Sequence, residues 1–320
     1  MQAIRVHRYG GPEVLTLERI PRPEPRADEL LIRIIAAGVL PADCRVRNGF
    51  FRQVMPAVFP YIPGTAFAGV VERAGAAVAA FAPGQAVCGR SPNGTYAEFT
   101  TVRADAPPPA GGFTDYRQAN ANTLLIHKPE TITFDEAATL SGGATTAWTA
   151  LFEDGDVQPG QRVLIHGAAG GVGLFAVQFA RWRGAEVIGT ASTGNIEFVR
   201  SLGADTVIDY TTTPFDEAVR EVDFVLDTIG GETLRRSMRI LRPGGTLVSL
   251  VEEPPAALAE QLGVRAFKNA TIPTSAHLRA IAQLIDAGHA RPVVQQTFAL
   301  DEAAAAHALC ETGHGRGRIV

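Results

Sequence analysis

Cysteine, lysine and long apolar runs are all scarce in this chain. Its three cysteines, Cys44, Cys88 and Cys310, are odd in number and far apart. That excludes a disulfide framework and fits a reducing compartment, so a cytoplasmic protein is expected. No apolar stretch approaches the eighteen or so residues needed to span a bilayer. The opening MQAIRVHRYGG lacks the apolar core of a secretory signal. Positive charge is not in excess: the net charge is -4, which gives no footprint for nucleic acid or an anionic membrane. Of 29 lysines and arginines only two, Lys128 and Lys268, are lysines, a bias that speaks of codon usage more than of chemistry. What is present is 320 residues, 46% hydrophobic and 19% charged. That is the composition of a soluble globular enzyme, and the length favours two domains over one.

The first third carries short β-like runs broken by Gly and Pro: Leu30–Ile35, Gly69–Glu72, Ala86–Cys88 and Tyr96–Val102. This punctuation predicts an all-β unit or small barrel. From Phe134 the pattern changes to a helical stretch with an acidic first turn. Strands and helices then alternate. Strands are predicted at Val163–His166, Glu186–Thr190, Thr206–Ile208, Asp223–Leu226 and Thr246–Leu250. Helices are predicted at Leu174–Arg183 and Ile196–Leu202. Such alternation predicts an α/β fold with a doubly wound parallel sheet. Two more helices are expected, Ala276–Ala287 and Leu300–Glu311. The segment Ala106–Thr123, opening APPPAGG, reads as a long loop leaving the barrel and returning near the interdomain cleft. Phe113, Tyr116 and Arg117 within it suit a lid over a substrate, and a surface loop or dimer arm fits equally.

Four glycines, Gly167, Gly170, Gly171 and Gly173, fall between the strand ending at His166 and the helix that follows. Gly167 lets the chain turn, Gly170 lets backbone approach a pyrophosphate, and Gly173 lets helix and strand pack closely. Free N–H groups at the helix start favour an anion there. A second strand follows at the right distance, so the pattern predicts a dinucleotide site. That strand ends Thr190-Ala191-Ser192-Thr193, with no acid before Glu197. An acid at this place usually holds the ribose hydroxyls of NAD. Small hydroxyls in its stead lean to NADPH.

Several stretches in order, IRVHRYGGPEVLTLERIPRPEP, PGTAFAGVVERAG, SLGADTVIDYT, VDFVLDTIGG and GHGRGRIV, resemble the zinc-free medium-chain dehydrogenase/reductases of the quinone oxidoreductase and enoyl reductase group. The resemblance runs nearly end to end. It implies a Rossmann domain (126–261) and a GroES-like β-barrel domain built from 1–125 and 262–320, with the cofactor between them. It implies NADPH-dependent hydride transfer to a small-molecule substrate: an enone, an enoyl thioester or a quinone. It also implies a homodimer, which we place at the sheet edge near Thr246–Leu250. It sets Gly170, Gly171 and Val172 at the pyrophosphate, beside Gly167 and Ala168 of the same turn. Thr190, Ser192, Thr193 and Asn195 fall near the adenosine 2′-phosphate and Tyr210 at the adenosine end. Thr146, Thr228, Ile229, Leu250 and Val251 fall near the nicotinamide. Thr146 also fits as a helix-interior threonine, and Tyr210 as a strand cap.

The zinc-dependent relatives carry Cys after AAGV, a His–Glu pair and a four-cysteine cluster. Here AAGV is followed by Leu40, the second segment reads PGTAFAG, and no cysteine cluster exists, so no metal is expected. The chain also departs from its zinc-free relatives. Leu40 replaces an Asn, Ala66 an Asp, Cys44 a Tyr or Trp, and Asn195 a Lys. With no zinc, the proton donor to a reduced substrate is expected to be a backbone N–H, a tyrosine or a water. Tyr61 and Cys44, expected to flank the cleft, are the candidate side chains, although the first also fits as a packed aromatic and the second as an inert thiol. A zinc-free ketone or alcohol reductase and a non-redox dinucleotide-binding protein remain as alternatives.

Overall fold

The computed structural model describes residues 1–107 and 123–320. The lid reading of Ala106–Thr123 falls on a segment that lies mostly outside the described residues. Its two ends meet, since the Thr123 N–H donates to the Ala106 carbonyl at 2.8 Å.

The N-terminal part begins with a hairpin, β1 (Gln2–Arg5) and β2 (Thr16–Arg19). A five-stranded antiparallel sheet follows: β3 (Glu29–Gly38), β4 (Ala66–Ala74), β5 (Ala86–Arg90), β6 (Phe99–Arg103) and β7 (Leu124–His127), in spatial order β6-β3-β4-β5-β7. Leu30, Ile32, Phe67, Val71, Val87 and Leu125 fill its inner side. Alternate positions face the other way: Ala36, Ala68, Cys88, Leu124 and Ile126 join the large central core together with Leu140, Ala147 and Leu278. Side chains on this second face are small or aliphatic, so the curled sheet seats directly on the helices next to it.

Those helices are the stretch from Phe134 to Asp154. It is α-helical over Phe134–Ala137 and Thr145–Trp148 and π-helical over Leu140–Ala144 and Thr149–Asp154. Thr133 caps its start, accepting from the Glu136 N–H while Glu136 returns to the Thr133 N–H. π-Helical turns of this kind gather at functional sites.

The six-stranded parallel sheet comprises β8 (Arg162–Ile165), β9 (Glu186–Ala191), β10 (Thr206–Asp209), β11 (Val222–Asp227), β12 (Leu241–Ser249) and β13 (Arg265–Lys268), ordered β10-β9-β8-β11-β12-β13. The strand order reverses at β8, the switch point where such sheets bind nucleotides. β8 and β11 are almost wholly buried, as strands covered on both faces must be. The helix Gly173–Arg183 packs after β8 and stops at Gly184, whose left-handed φ of 87° ends it. The chain closes with β14 (Val294–Gln296), the helix Ala303–Glu311 and β15 (Arg318–Ile319). Among the described residues no helix is long and apolar enough to cross a membrane.

One expectation is corrected here. Thr246–Leu250 is not at an edge, because β12 is flanked by β11 on one side and β13 on the other. After the helix Ala256–Leu262 a left-handed Gly263 turns the chain back, and Arg265–Lys268 adds the outermost strand. Only four residues long and charged at both ends, RAFK lacks the apolar run that marks the other strands.

Candidate functional site

The glycine turn is fixed by close backbone approaches. Gly167 has φ +62°, and a Cβ there would stand 2.6 Å from Thr228 Oγ1. A Cβ on Gly173 would overlap the Gly167 carbonyl oxygen and sit 2.7 Å from Ala168 Cα. Both glycines are therefore needed by the fold itself. Gly170 differs: a Cβ there would meet only the Gly167 oxygen, at 3.2 Å. The protein leaves that space open, as a site for a pyrophosphate requires. The helix begins at Gly173, with Val172 as its N-cap. Ala168 is held by its N–H to the Thr190 carbonyl at 3.1 Å, and the Thr190 hydroxyl lies 3.1 Å from His166 Nδ1. His166 also reaches Ser237 Oγ at 2.8 Å, and burial lowers its pKa to about 4, so it is neutral. It fixes the strand end and carries no charge to the site.

Two loops converge on the turn from the next strands. Asp227, fully buried at the end of β11, accepts from the N–H groups of Ile229 and Gly230 and from Ser249 Oγ at 2.8 Å. Ser249 in turn accepts from the Val251 N–H, while the Leu250 N–H donates to the Asp227 carbonyl. One carboxylate thus ties Thr228–Ile229 to Leu250–Val251. Thr228 completes the link by donating to the His166 carbonyl at 2.8 Å.

The C-terminus supplies what the sequence reading missed. Gly317 bridges Gly170, with its N–H on the Ala169 carbonyl at 2.9 Å, and the Val39 N–H donates to the Ile319 carbonyl at 2.9 Å. The closing residues therefore join the glycine turn to the end of β3. Arg318 is 8% exposed, and its Nε is buried with no hydrogen-bond partner. That guanidinium packs against Gly171 and lies 3.2 Å from where a Cβ on Gly143 would stand. Burial also lowers its pKa. A buried Nε–H without a hydrogen-bond partner, set against a turn left open for phosphate, suits an anion. GHGRGRIV was visible as a motif, but nothing in its spacing says that it returns to residue 171.

Ser192–Asn195, expected at the adenosine side, follow β9. Thr193 donates to Asp209 Oδ2 at 2.6 Å, and Asn195 accepts from Arg316 Nε at 2.7 Å. Arg316 also donates to the Gly194 carbonyl and lies over the Phe198 ring, 5.5 Å from its centroid. An arginine from the C-terminus thus stands beside Asn195. Tyr210 is exposed just beyond β10, its N–H on the Ala191 carbonyl. Thr146 donates to the Gly142 carbonyl at 2.6 Å, one residue from Gly143, and Leu40 packs on Gly142.

Of the two candidate donors, Cys44 is buried on its helix (Pro41–Arg47), 3.4 Å from His307 Nδ1. The neighbouring Cys310 and burial both push its pKa up, so it remains a thiol engaged in packing. Arg47 Nη1 also donates to His307 Nδ1, and burial takes His307 down to about 3. Tyr61 differs, since its Oη is buried with no partner. Burial, followed by the nearby Asp43 charge, raises its pKa. It lines a cavity of about 230 Å³ with Val46, Pro60, Ile62, Gly64 and Asn93. Among the described residues no three His, Cys, Asp or Glu side chains are placed to hold a metal.

Comparison with known proteins places this geometry. Residues 26–130 match the model of the alcohol dehydrogenase GroES-like domain, and residues 202–320 that of the zinc-binding dehydrogenases. The chain is 31% identical to the quinone oxidoreductase of Rattus norvegicus, over 96% of this chain and 93% of that protein. It is 32% identical to the NADPH-dependent alkenal/one oxidoreductase of Arabidopsis thaliana chloroplasts, over 98% of this chain and 77% of the relative. The quinone oxidoreductase of Coxiella burnetii superposes with a TM-score of 0.88 at 33% identity, covering 100% of this chain and 98% of that one. Escherichia coli quinone oxidoreductase, solved in complex with NADPH, superposes at 0.85 with 25% identity over the whole of both chains. With a parallel sheet, a curled antiparallel sheet and the glycine turn between them, the chain belongs to the medium-chain dehydrogenase/reductases, in their zinc-free quinone oxidoreductase group.

Proposed function

We propose that this chain is an NADPH-dependent reductase that delivers hydride to a quinone or to an activated C=C bond. The observation that carries the reading is Arg318, a buried guanidinium with an unpaired Nε facing the Gly170–Gly171 turn. The names of the rat, Arabidopsis and Coxiella relatives support it. Arg318 and the backbone of Gly170, Gly171 and Val172 hold the pyrophosphate. Ser192, Asn195 and Arg316 receive the adenosine 2′-phosphate, and Thr146 with the Thr228–Ile229 and Leu250–Val251 loops lies by the nicotinamide. When bound, the reduced dinucleotide supplies the hydride.

The chain's own residues supply orientation and the proton. Asp227 and Ser249 hold the two loops rigid, so the pocket is formed before substrate arrives. Leu40 stands on Gly142 as an apolar wall. Tyr61 is the group we assign to the substrate oxygen. Its buried hydroxyl has no partner within the protein and it lines a cavity, which leaves the O–H free to donate to developing negative charge. Tyr61→Phe is expected to lower kcat/KM about a hundredfold while leaving the dissociation constant for NADPH unchanged. A change in melting temperature with intact kcat/KM would instead assign Tyr61 to packing.

We also propose a homodimer, with the outer edge of β13 (Arg265–Lys268) as the pairing strand. Light scattering at micromolar concentration should give twice the chain mass, and a monomer would contradict it. The activity is tested by following NADPH oxidation with quinones, enones and simple ketones. Turnover confined to quinones or enones supports the reading. Ketone-only turnover favours an alcohol dehydrogenase chemistry, and no turnover with any acceptor overturns it.

A further inference from the structure

The ribose-reading end of β9 holds an acid that the linear sequence hides. In the parallel register Asp209 of β10 lies opposite Ala191 of β9, beside Ser192. Its Oδ2 accepts from Thr193 Oγ1 at 2.6 Å, and its Oδ1 accepts from the Thr211 N–H at 2.9 Å and from Thr211 Oγ1 at 2.6 Å. These hydroxyl donors also hold the carboxyl below its ordinary range, so it is ionised at neutral pH.

We propose that Asp209 opposes the 2′-phosphate across the Ser192–Asn195 loop from Arg316, and so narrows the preference of this enzyme for NADPH over NADH. The inference rests on the cofactor reading above.

Three features support it. First, Thr193 has one hydroxyl proton and gives it to Asp209, so toward a ligand it offers only lone pairs. A phosphate is likewise an acceptor, so the hydroxyl that the sequence assigns to phosphate binding is already committed. Second, the carboxylate is a like charge to the phosphate. At a solvent-accessible site that repulsion is modest and screened by salt. Third, the loop has a cation on its other side. Arg316 is oriented by Asn195 Oδ1, the Gly194 carbonyl and the Phe198 ring, so its fork is set in advance for an anion. The loop therefore lies between one base and one acid. The phosphate of NADPH gains from the first and loses to the second. NADH, whose ribose offers a 2′-hydroxyl, gains little from Arg316 and meets an acceptor in Asp209, the residue type that favours NAD in this class of site.

Dissociation constants for NADPH and NADH, measured by fluorescence titration of the full chain at low and high salt, test the inference without turnover. Asp209→Asn is expected to tighten NADPH about three- to tenfold at low salt, with less gain at high salt, and to leave NADH equal or weaker. Asp209→Ser, the second variant, should move the NADPH/NADH ratio in the same direction. Arg316→Gln should weaken NADPH about tenfold and leave NADH within about twofold. If wild-type chain binds NADPH but neither Asp209 variant changes the NADPH/NADH ratio, the inference is overturned while the cofactor reading stands. If the wild type binds no NADPH, the cofactor reading falls and takes the inference with it.

Discussion

Arg318→Met is expected to weaken NADPH binding by about one to two orders of magnitude, while the melting temperature of the free protein stays the same or rises. A hydrogen bond to a charged group contributes roughly 1.5–3 kcal/mol, and every 1.4 kcal/mol is about tenfold in affinity. In the free chain the same guanidinium is buried with its Nε unpaired. Replacing a buried charge by an apolar side chain of similar length is often neutral or stabilising. Asp43 lies within electrostatic reach and limits the gain. The two readouts thus move independently, which a purely structural arginine would not allow. Calorimetric titration and a thermal melt on the same variant decide the matter. Intact affinity with a lowered melting temperature would make Arg318 a staple between the C-terminus and the glycine turn, not a cofactor ligand.

Gly173→Ala and Gly170→Ala should separate what the fold needs from what the ligand needs. At Gly173 an added methyl meets the Gly167 carbonyl oxygen and Ala168 Cα, both backbone, so nothing flexible can yield. Helix propensity alone favours Ala by about 1 kcal/mol, yet the overlap should reverse this to a net loss of about 1–3 kcal/mol. Cofactor affinity falls as well, because helix and turn move apart. At Gly170 the methyl meets only one oxygen at 3.2 Å. There stability should change by less than about 1 kcal/mol, while NADPH affinity drops at least tenfold, since the methyl occupies the space left for the pyrophosphate. Chemical denaturation and NADPH titration of both variants check this. Equal stability loss at the two positions would mean that Gly170 is structural.

The architecture was legible because parallel strands buried on both faces carry short continuous apolar runs, as in VLI of β8 and FVL of β11. Arg265–Lys268 escaped because a four-residue edge strand with charged ends carries no such run. The glycine turn was legible from local spacing. The rest of the proposed cofactor site was not, because it is assembled across the fold. Arg316 and Arg318 arrive by a C-terminal strand that pairs with Gly170 and Val39. Asp209 arrives through strand register, so a search for an acid along β9 stopped one strand short. Cys44 illustrates the converse. Its place in the sequence suggested the cleft, but the helix turns its thiol toward His307 and Cys310.

A crystal structure of the chain with NADPH tests the central claim most directly. The account predicts the pyrophosphate within hydrogen-bond distance of the Arg318 guanidinium and of the backbone N–H groups at Gly170–Val172, with the 2′-phosphate beside Arg316. A dinucleotide bound elsewhere, or bound here with Arg318 still lacking a partner, would contradict it.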